Sequence, residues 1–418
     1  MSLPAARVNV VIPVFNLWEM TEACLASLAE HAPPDEILVT VADNASTDAT
    51  ASACEPRGRA LFGERFTYLR LPENAGFSAA CNRGAAAPGA TDVPFVFFLN
   101  NDARLTPGFL APLLEAFEAD AGGTLGAVGP LLLYPGSGRV QHLGIAFGPD
   151  LSVEHLYENF PANHPAVRGK RDFQAITAAA LLLPKALFDA AGRFHEGYQN
   201  GFEDLDLCCA LRQAGKRLTV VPESVVYHFA GRSAGRFARD AQNAALLADR
   251  RPDGFVPDLH KFLAEDGFEP ALTETLDLYG RLPAPVSAKL LRTLGRPFDP
   301  AKCLALVTRE PLFEAGYALL AGRLEEGGLF AETAELCALQ AFFFPTLANA
   351  RHLARAAARA GNAELAGEAA SRAAAMEARL ADPNALAAKA RRAAERLRGT
   401  NGAALAALYE RRAVGGAA

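Results

Sequence analysis

The chain has 418 residues, half of them hydrophobic, and carries a formal net charge of −6. This length allows two or three domains, and the acidic balance lacks the basic stripe that a nucleic-acid-binding protein usually shows. No apolar run approaches the roughly 18 residues of a membrane span, and the first residues lack the pattern of a signal peptide. Seven cysteines without a C-x-x-C pair predict free thiols in a reducing cytoplasm.

Up to residue 119 the sequence alternates between strand and helix patterns. Strands that alternate with helices indicate a parallel sheet with helices on both faces, and ligands bind such sheets at the carboxyl ends of the strands. The predicted strands are 8–15, 36–43, 66–72 and 93–100, and the predicted helices are 19–31, 47–54, 76–87 and 109–119.

The middle of the chain is less regular. Residues 121–175 are interrupted by Gly and Pro and predict irregular structure. A strand, a turn and a short helix follow at 175–194, then a helix at 201–215 and two short strands within 216–229. The N-terminal domain is therefore predicted to span residues 1–255 and to be of the α/β class.

Beyond residue 255 the composition becomes rich in Ala, Leu and Arg, which predicts helices without strands. Pro311 and Pro345 lie 34 residues apart, as do Gly327 and Gly361. A period near 34 is that of tetratricopeptide helix pairs, and a helical extension with chance spacing is the alternative. We predict a helical linker region at 256–310 and an all-α, tetratricopeptide-like domain at 311–418.

Two aspartates end predicted strands of the N-terminal sheet. Asp43 closes EILVTVAD, and Asp102 follows the apolar run VPFVFFLNN. Either residue alone is explained by a helix cap or a turn, but two carboxylates at neighbouring strand ends converge on one crevice. Asp43 can accept hydrogen bonds from a base or a ribose, and Asp102 can ligate a divalent cation that neutralises a diphosphate.

Seven motifs in order resemble the family 2 glycosyltransferases with a GT-A fold, especially their rhamnosyltransferase-like bacterial branch. The resemblance runs from about residue 8 to about residue 250. The motifs are VVIPVFN, CLASL, VADNASTD, ENAGFSAACNRG, FLNNDARL, GFEDLDLCCALRQAG and VYHFAGRSAG. The resemblance implies a GT-A fold, with a mostly parallel Rossmann-like sheet, followed by the all-α domain.

The resemblance also implies roles for individual residues. It makes Asp204 the catalytic base, with Glu203 beside it to orient the acceptor, and makes Asp102 and His228 ligands of Mg²⁺ or Mn²⁺. The residues implied to contact the nucleotide sugar are Pro13, Phe15, Asn16, Asp43, Asn74, Gly76, Asn82, Arg83 and Asn101.

The helix that begins near Asp204 separates the roles of its acidic residues. Side chains two residues apart on a helix diverge by about 200°, so Asp204 and Asp206 do not both face the crevice. Asp204 is the better candidate for the base, and its alternative role is an N-cap. We expect Asp206 to bond structurally, to Arg212 or to a backbone amide.

Two positions depart from the family pattern. Asn100 stands where relatives have the first carboxylate of an Asp-x-Asp motif, and Asn is a poorer ligand for a hard cation, so strict dependence on metal stays open. Residues 177–180 read TAAA, where relatives often have Thr-Gly-Ala, and a larger residue there can reshape the acceptor pocket.

The function predicted is inverting, metal-dependent transfer of a sugar from a nucleotide donor to a hydroxyl. The resemblance implies dTDP-rhamnose or a UDP-sugar as donor, and a glycan, a lipid-linked glycan or a protein as acceptor. It places the reaction in the synthesis of a surface polysaccharide or glycoconjugate, in the cytoplasm or at the inner face of the membrane. The helical domain is the predicted surface for a protein partner or for self-association. A dehydrogenase is disfavoured because no G-x-G-x-x-G follows a strand. The remaining alternative is a catalytically degenerate domain that serves as a scaffold.

Overall fold

The computed structural model of the chain describes residues 6–229 and 239–415. The chain divides into two compact units. The first contains residues up to Ile145, His155–Glu158 and Val167–Phe255, and the second contains Ala146–Glu154, Asn159–Ala166 and the residues from Val256 onward.

The strands in chain order are β1 (Val8–Val14), β2 (Ile37–Asp43), β3 (Phe66–Arg70), β4 (Phe95–Leu99), β5 (Ala103–Leu105), β6 (Leu125–Leu133), β7 (Val140–His142), β8 (Ile145–Phe147), β9 (Val153–His155), β10 (Ala180–Pro184), β11 (Arg217–His228), β12 (Glu269–Leu272) and β13 (Leu278–Arg281).

The helices are α1 (Trp18–His31), α2 (Thr50–Phe62), α3 (Gly76–Ala85), α4 (Leu110–Glu118), α5 (Pro165–Arg168), α6 (Lys185–Ala190), α7 (Glu203–Gln213), α8 (Asp240–Arg250), α9 (Leu259–Glu265), α10 (Ala284–Leu294), α11 (Pro300–Arg309), α12 (Glu314–Glu326), α13 (Phe330–Phe343), α14 (Leu347–Arg359), α15 (Ala363–Leu380), α16 (Pro383–Arg398) and α17 (Ala403–Gly415).

A nine-stranded mixed sheet forms the first unit. Its order is β3-β2-β1-β4-β10-β6-β11-β5, and β7 pairs with β6. The first four strands are parallel, whereas β10 is antiparallel to both of its neighbours. The apolar runs that predicted β1, β2 and β4 are buried in the core of this sheet, and the predicted α/β class is confirmed.

Two predictions for the middle of the chain were wrong in detail. The region expected to be irregular contains β6, which is buried along its whole length. Gly129 is one of the glycines that interrupt this region. A Cβ there would lie 3.2 Å from the carbonyl oxygen of Ala180, so this glycine reflects close strand packing. The two strands expected within 216–229 form the single strand β11, with an irregular register between Val221 and Val225.

Helix α2 begins later and runs further than the predicted helix at 47–54. It continues through Pro56 and Gly58 to Phe62. A Cβ at Gly58 would lie 2.0 Å from Cζ of Phe66, so this glycine makes room for an aromatic ring on β3. The packing of α2 against β3 therefore accounts for the glycine inside this helix.

The second unit is mainly helical, as predicted, but it also contains a β-hairpin. Strands β12 and β13 pair through Leu272 and Leu278, and the turn is closed because Thr273 N donates to Asp277 O at 2.9 Å. The expectation of no strand beyond residue 255 was therefore wrong. The short polar turn that closes the hairpin lies inside a sequence whose overall composition favours helix.

The second unit contains two successive helix pairs, α12 with α13 and α14 with α15. Their first helices begin at Glu314 and Leu347, so equivalent positions lie 33 residues apart. The residue in the left-handed conformation at the turn inside each pair is Gly328 in the first pair and Gly361 in the second. The helix pairs therefore repeat with a period one residue shorter than the 34 read from the prolines and glycines, and the tetratricopeptide-like domain stays a prediction.

All seven cysteines are buried and form no disulfide. Burial raises the pKa of the Cys24 thiol to about 12, so this thiol stays protonated at neutral pH. Across residues 6–229 and 239–415, no helix is both long and apolar enough to cross a bilayer.

Candidate active site

The predicted site residues lie along one edge of the large sheet. The carboxyl ends of β1, β2 and β4 meet there because these strands are parallel. Strand β11 points the same way, since it is parallel to β6, and both β6 and β4 are antiparallel to β10. Residues 177–179 also reach this edge, because Ala180 at the start of β10 lies opposite Leu99 at the end of β4.

The turn after β1 is bonded to the turn after β2. Asn16 has a left-handed backbone with φ of 58°. Its backbone N–H donates to Ser46 Oγ at 2.8 Å, and its side-chain oxygen accepts from the backbone N–H of Thr47 at 2.7 Å. Pro13 is the β1 residue opposite Ala42, and Phe15 is 47% exposed at the edge.

Asp43 is fully buried and its carboxylate is held by three donors. They are the backbone N–H of Ser46 at 2.8 Å, the hydroxyl of Tyr68 at 2.5 Å and the guanidinium of Arg70. Burial and the Asp43 carboxylate raise the pKa of the Tyr68 phenol above its usual range. Arg70 remains partly exposed and is the group of this cluster that a ligand can reach.

Sequence reasoning missed Tyr68 and Arg70. The signal for Arg70 lay in the strand register, since Asp43 pairs directly with Arg70 between the parallel strands β2 and β3. A basic residue at the end of an edge strand, directly opposite an Asp that ends the neighbouring strand, can form a cross-strand ion pair with it.

The loop before α3 is tied to the end of β2 by Asn44. Its side-chain nitrogen donates to Asn74 Oδ1 at 2.8 Å and to Gly76 O at 3.0 Å, and its oxygen accepts from the backbone N–H of Ala75 at 2.8 Å. Gly76 has φ of 87°, a conformation that favours glycine. Asn74 and Gly76 therefore stand beside the predicted nucleotide edge in a fixed turn.

Two predicted contacts on α3 differ in what they touch. The Asn82 side chain donates to Phe194 O at 2.8 Å and to Glu196 Oε1 at 2.9 Å, and it accepts from Phe194 N at 3.1 Å. Its hydrogen bonds therefore join α3 to the segment after α6. Arg83, the next residue, is exposed.

Asp102 and His228 meet at the centre of the site. His228 Nε2 lies 3.1 Å from Asp102 Oδ1 and 3.1 Å from Asn100 Nδ2. Strand pairing brings them together, since His228 is opposite Ala103 in the β11–β5 ladder. Asn101 turns the other way, and its amide nitrogen donates to Thr21 Oγ1 at 2.9 Å.

Residues 177–179 connect three parts of the site. Thr177 N donates to His142 Nε2 at 3.2 Å, and Ala178 N donates to Asp204 Oδ2 at 3.2 Å. Ala179 O accepts from Asn100 N at 2.9 Å. This segment links the candidate base to Asn100, whose side chain contacts His228. The sequence marked the segment only as a departure from the family pattern.

The acidic residues of α7 differ in burial and in their partners. The helix begins at Glu203, one residue before Asp204, which is partly exposed. Glu203 Oε2 accepts from Gly201 N at 2.7 Å. Asp206 is buried and pairs with Arg250 at 3.1 Å and Arg251 at 2.6 Å.

The structural role of Asp206 is as expected, but its partners are not. Arg212, the expected partner, donates instead to Gly254 O at 2.8 Å.

Within the described ranges no group of three or more His, Cys, Asp and Glu side chains is placed to hold a metal ion. Asp102 and His228 supply two donors. The segment that follows His228 in the motif VYHFAGRSAG falls mostly in 230–238, outside the described residues.

A comparison with protein families agrees with this geometry. The pattern of the glycosyl transferase family 2 domain matches residues 9–144. The chain carries a family 2 glycosyltransferase domain. The match includes β1 to β7, with Asp43 and Asp102, and it confirms the family predicted from the motifs.

Two relatives of the chain have names that state an activity or a pathway. Over 269 residues it is 29% identical to the N-acetylglucosaminyl-diphospho-decaprenol L-rhamnosyltransferase of Mycobacterium tuberculosis, a match that covers 58% of this chain and 84% of that protein. Over 317 residues it is 24% identical to an O-antigen biosynthesis protein of Myxococcus xanthus, covering 71% of this chain and 23% of that protein. The chain likewise spans 25% of the length of another relative.

Among solved structures, the chain aligns with a mannosyltransferase from Pyrobaculum calidifontis in complex with GDP-Man and Mn²⁺. The TM-score is 0.45 at 19% sequence identity, and 87% of each chain is covered.

Proposed function

We propose that the protein transfers a sugar from a nucleotide donor to an acceptor hydroxyl with inversion at the anomeric carbon, and that it uses a divalent cation. The observation that carries the proposal is a chain of contacts at the predicted ligand-binding edge of the sheet. Asp204 and Asn100 are both hydrogen-bonded to residues 177–179, and Asn100 in turn contacts His228, which lies beside Asp102. A pair of ligands for a cation and a separate carboxylate supply the two functions that such a transfer requires.

The residues that would hold the cation are Asp102 and His228. Carboxylate oxygen and imidazole nitrogen are both ligands of Mn²⁺, and their 3.1 Å separation suits two donors that converge on one ion. A bound cation supplies Lewis-acid stabilisation of a diphosphate leaving group. Asn100, which adds no charge, makes this donor set weaker than one with two carboxylates.

Asp204 is the proposed base. Its Oδ2 accepts one hydrogen bond from Ala178 and its Oδ1 one from Leu205, so the carboxylate is held in one orientation while it stays partly exposed to an acceptor. A positioned carboxylate can take the proton of the acceptor hydroxyl as the new bond forms. Glu203, buried beside it, is proposed to orient the acceptor.

The proposed donor is dTDP-rhamnose or a UDP-sugar, held over Phe15, Asn16, Asn74, Gly76 and the Arg70–Asp43 pair. Asn82 and Arg83 complete the predicted nucleotide-side set. The proposed acceptor is a glycan, a lipid-linked glycan or a glycosylated protein, and the mycobacterial rhamnosyltransferase supports the lipid-linked class. Buried free thiols and a nucleotide-sugar donor support action at the cytoplasmic side, with the helical second unit as the proposed surface for a partner.

The test measures the rate of sugar transfer from dTDP-rhamnose and from UDP-sugars to added acceptors, with and without Mn²⁺, for the wild type and for Asp204→Asn. Loss of a positioned general base lowers the rate by about 10²- to 10⁴-fold. We expect the variant to lose transfer to added acceptors while nucleotide binding is retained. Equal rates in the two proteins would exclude Asp204 as the base.

A scaffold without catalysis is the second candidate, and Asn100 is the observation that favours it. The scaffold function predicts that no nucleotide sugar is consumed, with or without Mn²⁺ and acceptor, although a nucleotide can still bind.

A further inference from the structure

Strand β7 contains a β-bulge at Gln141. In its pairing with β6, His142 lies opposite Leu132 and Val140 lies opposite Leu133, so Gln141 is the extra residue between them. Such bulges re-aim side chains and are common beside active sites. The side chain of Gln141, a residue that is only 5% exposed, contacts His228 through both ends of its amide.

The atoms of this contact fix its donors and acceptors. Gln141 Nε2 lies 2.8 Å from the carbonyl oxygen of His228, which only accepts hydrogen bonds, so the amide nitrogen must face it. The amide oxygen Oε1 then lies 2.6 Å from His228 Nδ1. Because Oε1 also only accepts, Nδ1 carries the hydrogen, and in the neutral ring Nε2 carries the lone pair.

We propose that Gln141 is a positioning residue that holds His228 as the Nδ1–H tautomer and thereby presents Nε2 as an acceptor toward Asp102. Asn100 Nδ2, a donor, lies 3.1 Å from the same Nε2, which agrees with a lone pair there. Asp102 Oδ1 lies 3.1 Å from it on another side. Gln141 is missing from the site predicted by the motifs.

The arrangement leaves two acceptor atoms facing each other, Nε2 of His228 and Oδ1 of Asp102. A cation between them relieves that conflict. Metal-binding histidines usually donate their second ring N–H to a fixed acceptor, which sets the tautomer and the ring orientation. The consequence for a cation rests on the proposed function, whereas the tautomer itself is a property of the metal-free chain.

The tautomer can be read directly by nitrogen NMR of the full chain labelled at its eight histidines. At pH 8 without metal, the wild type should show His228 protonated at Nδ1 only, with the signal assigned by its loss in His228→Gln. In Gln141→Leu, Nδ1 loses its acceptor, and the proton should move to Nε2, where Asp102 accepts it. Gln141→Glu, which keeps an acceptor at this position, should retain the Nδ1–H form.

The matched control is Gln340→Leu, which makes the same change at a glutamine that is also 5% exposed but lies on α13 of the second unit. It should leave the His228 signals unchanged. A His228 ring protonated at Nε2 in the wild type, or an Nδ1–H tautomer that persists in Gln141→Leu, would overturn the proposal.

A second readout separates this proposal from the proposed function. Loss of an outer partner of a metal-binding histidine typically weakens metal affinity by about 10- to 100-fold, so Gln141→Leu should weaken Mn²⁺ binding measured by electron paramagnetic resonance in the presence of UDP or dTDP. If the wild type binds no Mn²⁺, the metal part of the proposed function fails. The tautomer measurement then still decides the role of Gln141.

Discussion

Asn100 occupies the place where a second carboxylate would complete a metal site. Its amide nitrogen lies 3.1 Å from His228 Nε2, so it donates to the atom that a cation would need. We predict that Asn100→Asp tightens Mn²⁺ binding about tenfold, because it replaces a competing donor with a negative oxygen ligand. A Mn²⁺ titration of both proteins at fixed UDP or dTDP concentration measures this.

Asn101→Asp is the matched control for that change. It adds the same charge one residue away, on a side chain directed to Thr21. If both variants tighten binding equally, the gain comes from general charge, and the assignment of Asn100 to the ligand shell is wrong.

His142 predicts a pH dependence of stability. It is buried, and burial, followed by the nearby His155 and His228, holds its pKa well below the usual value of 6.5. The unfolded chain therefore binds a proton at this residue below about pH 6.5 while the folded chain does not. Stability contributed by the neutral ring is present above that pH and is lost as the pH falls.

The slope expected from this one residue approaches about 1.4 kcal/mol per pH unit below the unfolded pKa. Thermal unfolding at pH 5.5 and pH 8 should show a smaller pH effect in His142→Gln, which keeps an acceptor for Thr177 N but does not titrate. An identical pH effect in wild type and variant would show that His142 becomes charged in the folded state at no cost.

At the scale of secondary-structure elements, Asp206 joins α7 to α8. Its carboxylate accepts from Arg250 at 3.1 Å and from Arg251 at 2.6 Å, and the Asp206 side chain is 3% exposed. We predict that Asp206→Asn lowers the free energy of unfolding by about 2–3 kcal/mol, somewhat less than for a fully buried pair because the arginines are partly hydrated. Asp249→Asn makes the same change at an exposed site on α8 and should cost little.

Urea unfolding followed by circular dichroism measures both variants. Equal midpoints would mean that the Asp206 pair adds nothing to the α7–α8 contact, and the division of roles between Asp204 and Asp206 would lose its structural basis.

The elements that the sequence predicted well are those with a clear period and short connections. Strands β1, β2 and β4 were readable because a short, continuous apolar run between turn residues is typical of a strand in a parallel sheet covered on both faces. Strand β6 was missed because Gly129 and Pro130 resemble turn residues, whereas the glycine is required by the approach of Ala180. That contact comes from a strand far along the chain and is invisible to a local pattern.

At the scale of the whole molecule, the strand-end rule located the candidate site but not its internal connections. Asp43, Asp102, Asp204 and His228 were predicted from ordered motifs. Asp204 is connected to His228 and Asp102 only indirectly, through residues 177–179 and Asn100. Tyr68, Gln141 and His142 were not predicted, because their contacts depend on register and on a bulge. Positions that hold other residues in place have no sequence motif of their own.

The central claim is that Asp102 holds a cation against the diphosphate of a sugar nucleotide. The most direct measurement is a thermal-shift panel with UDP, dTDP and GDP, each with and without Mn²⁺, on the wild type, Asp102→Ala and the exposed control Asp92→Ala. A ligand that binds only the folded state raises the melting temperature. We predict that one nucleotide stabilises the wild type and the control only when Mn²⁺ is present, and that Asp102→Ala loses this gain. Stabilisation that is independent of Mn²⁺, or that persists in Asp102→Ala, would contradict the claim.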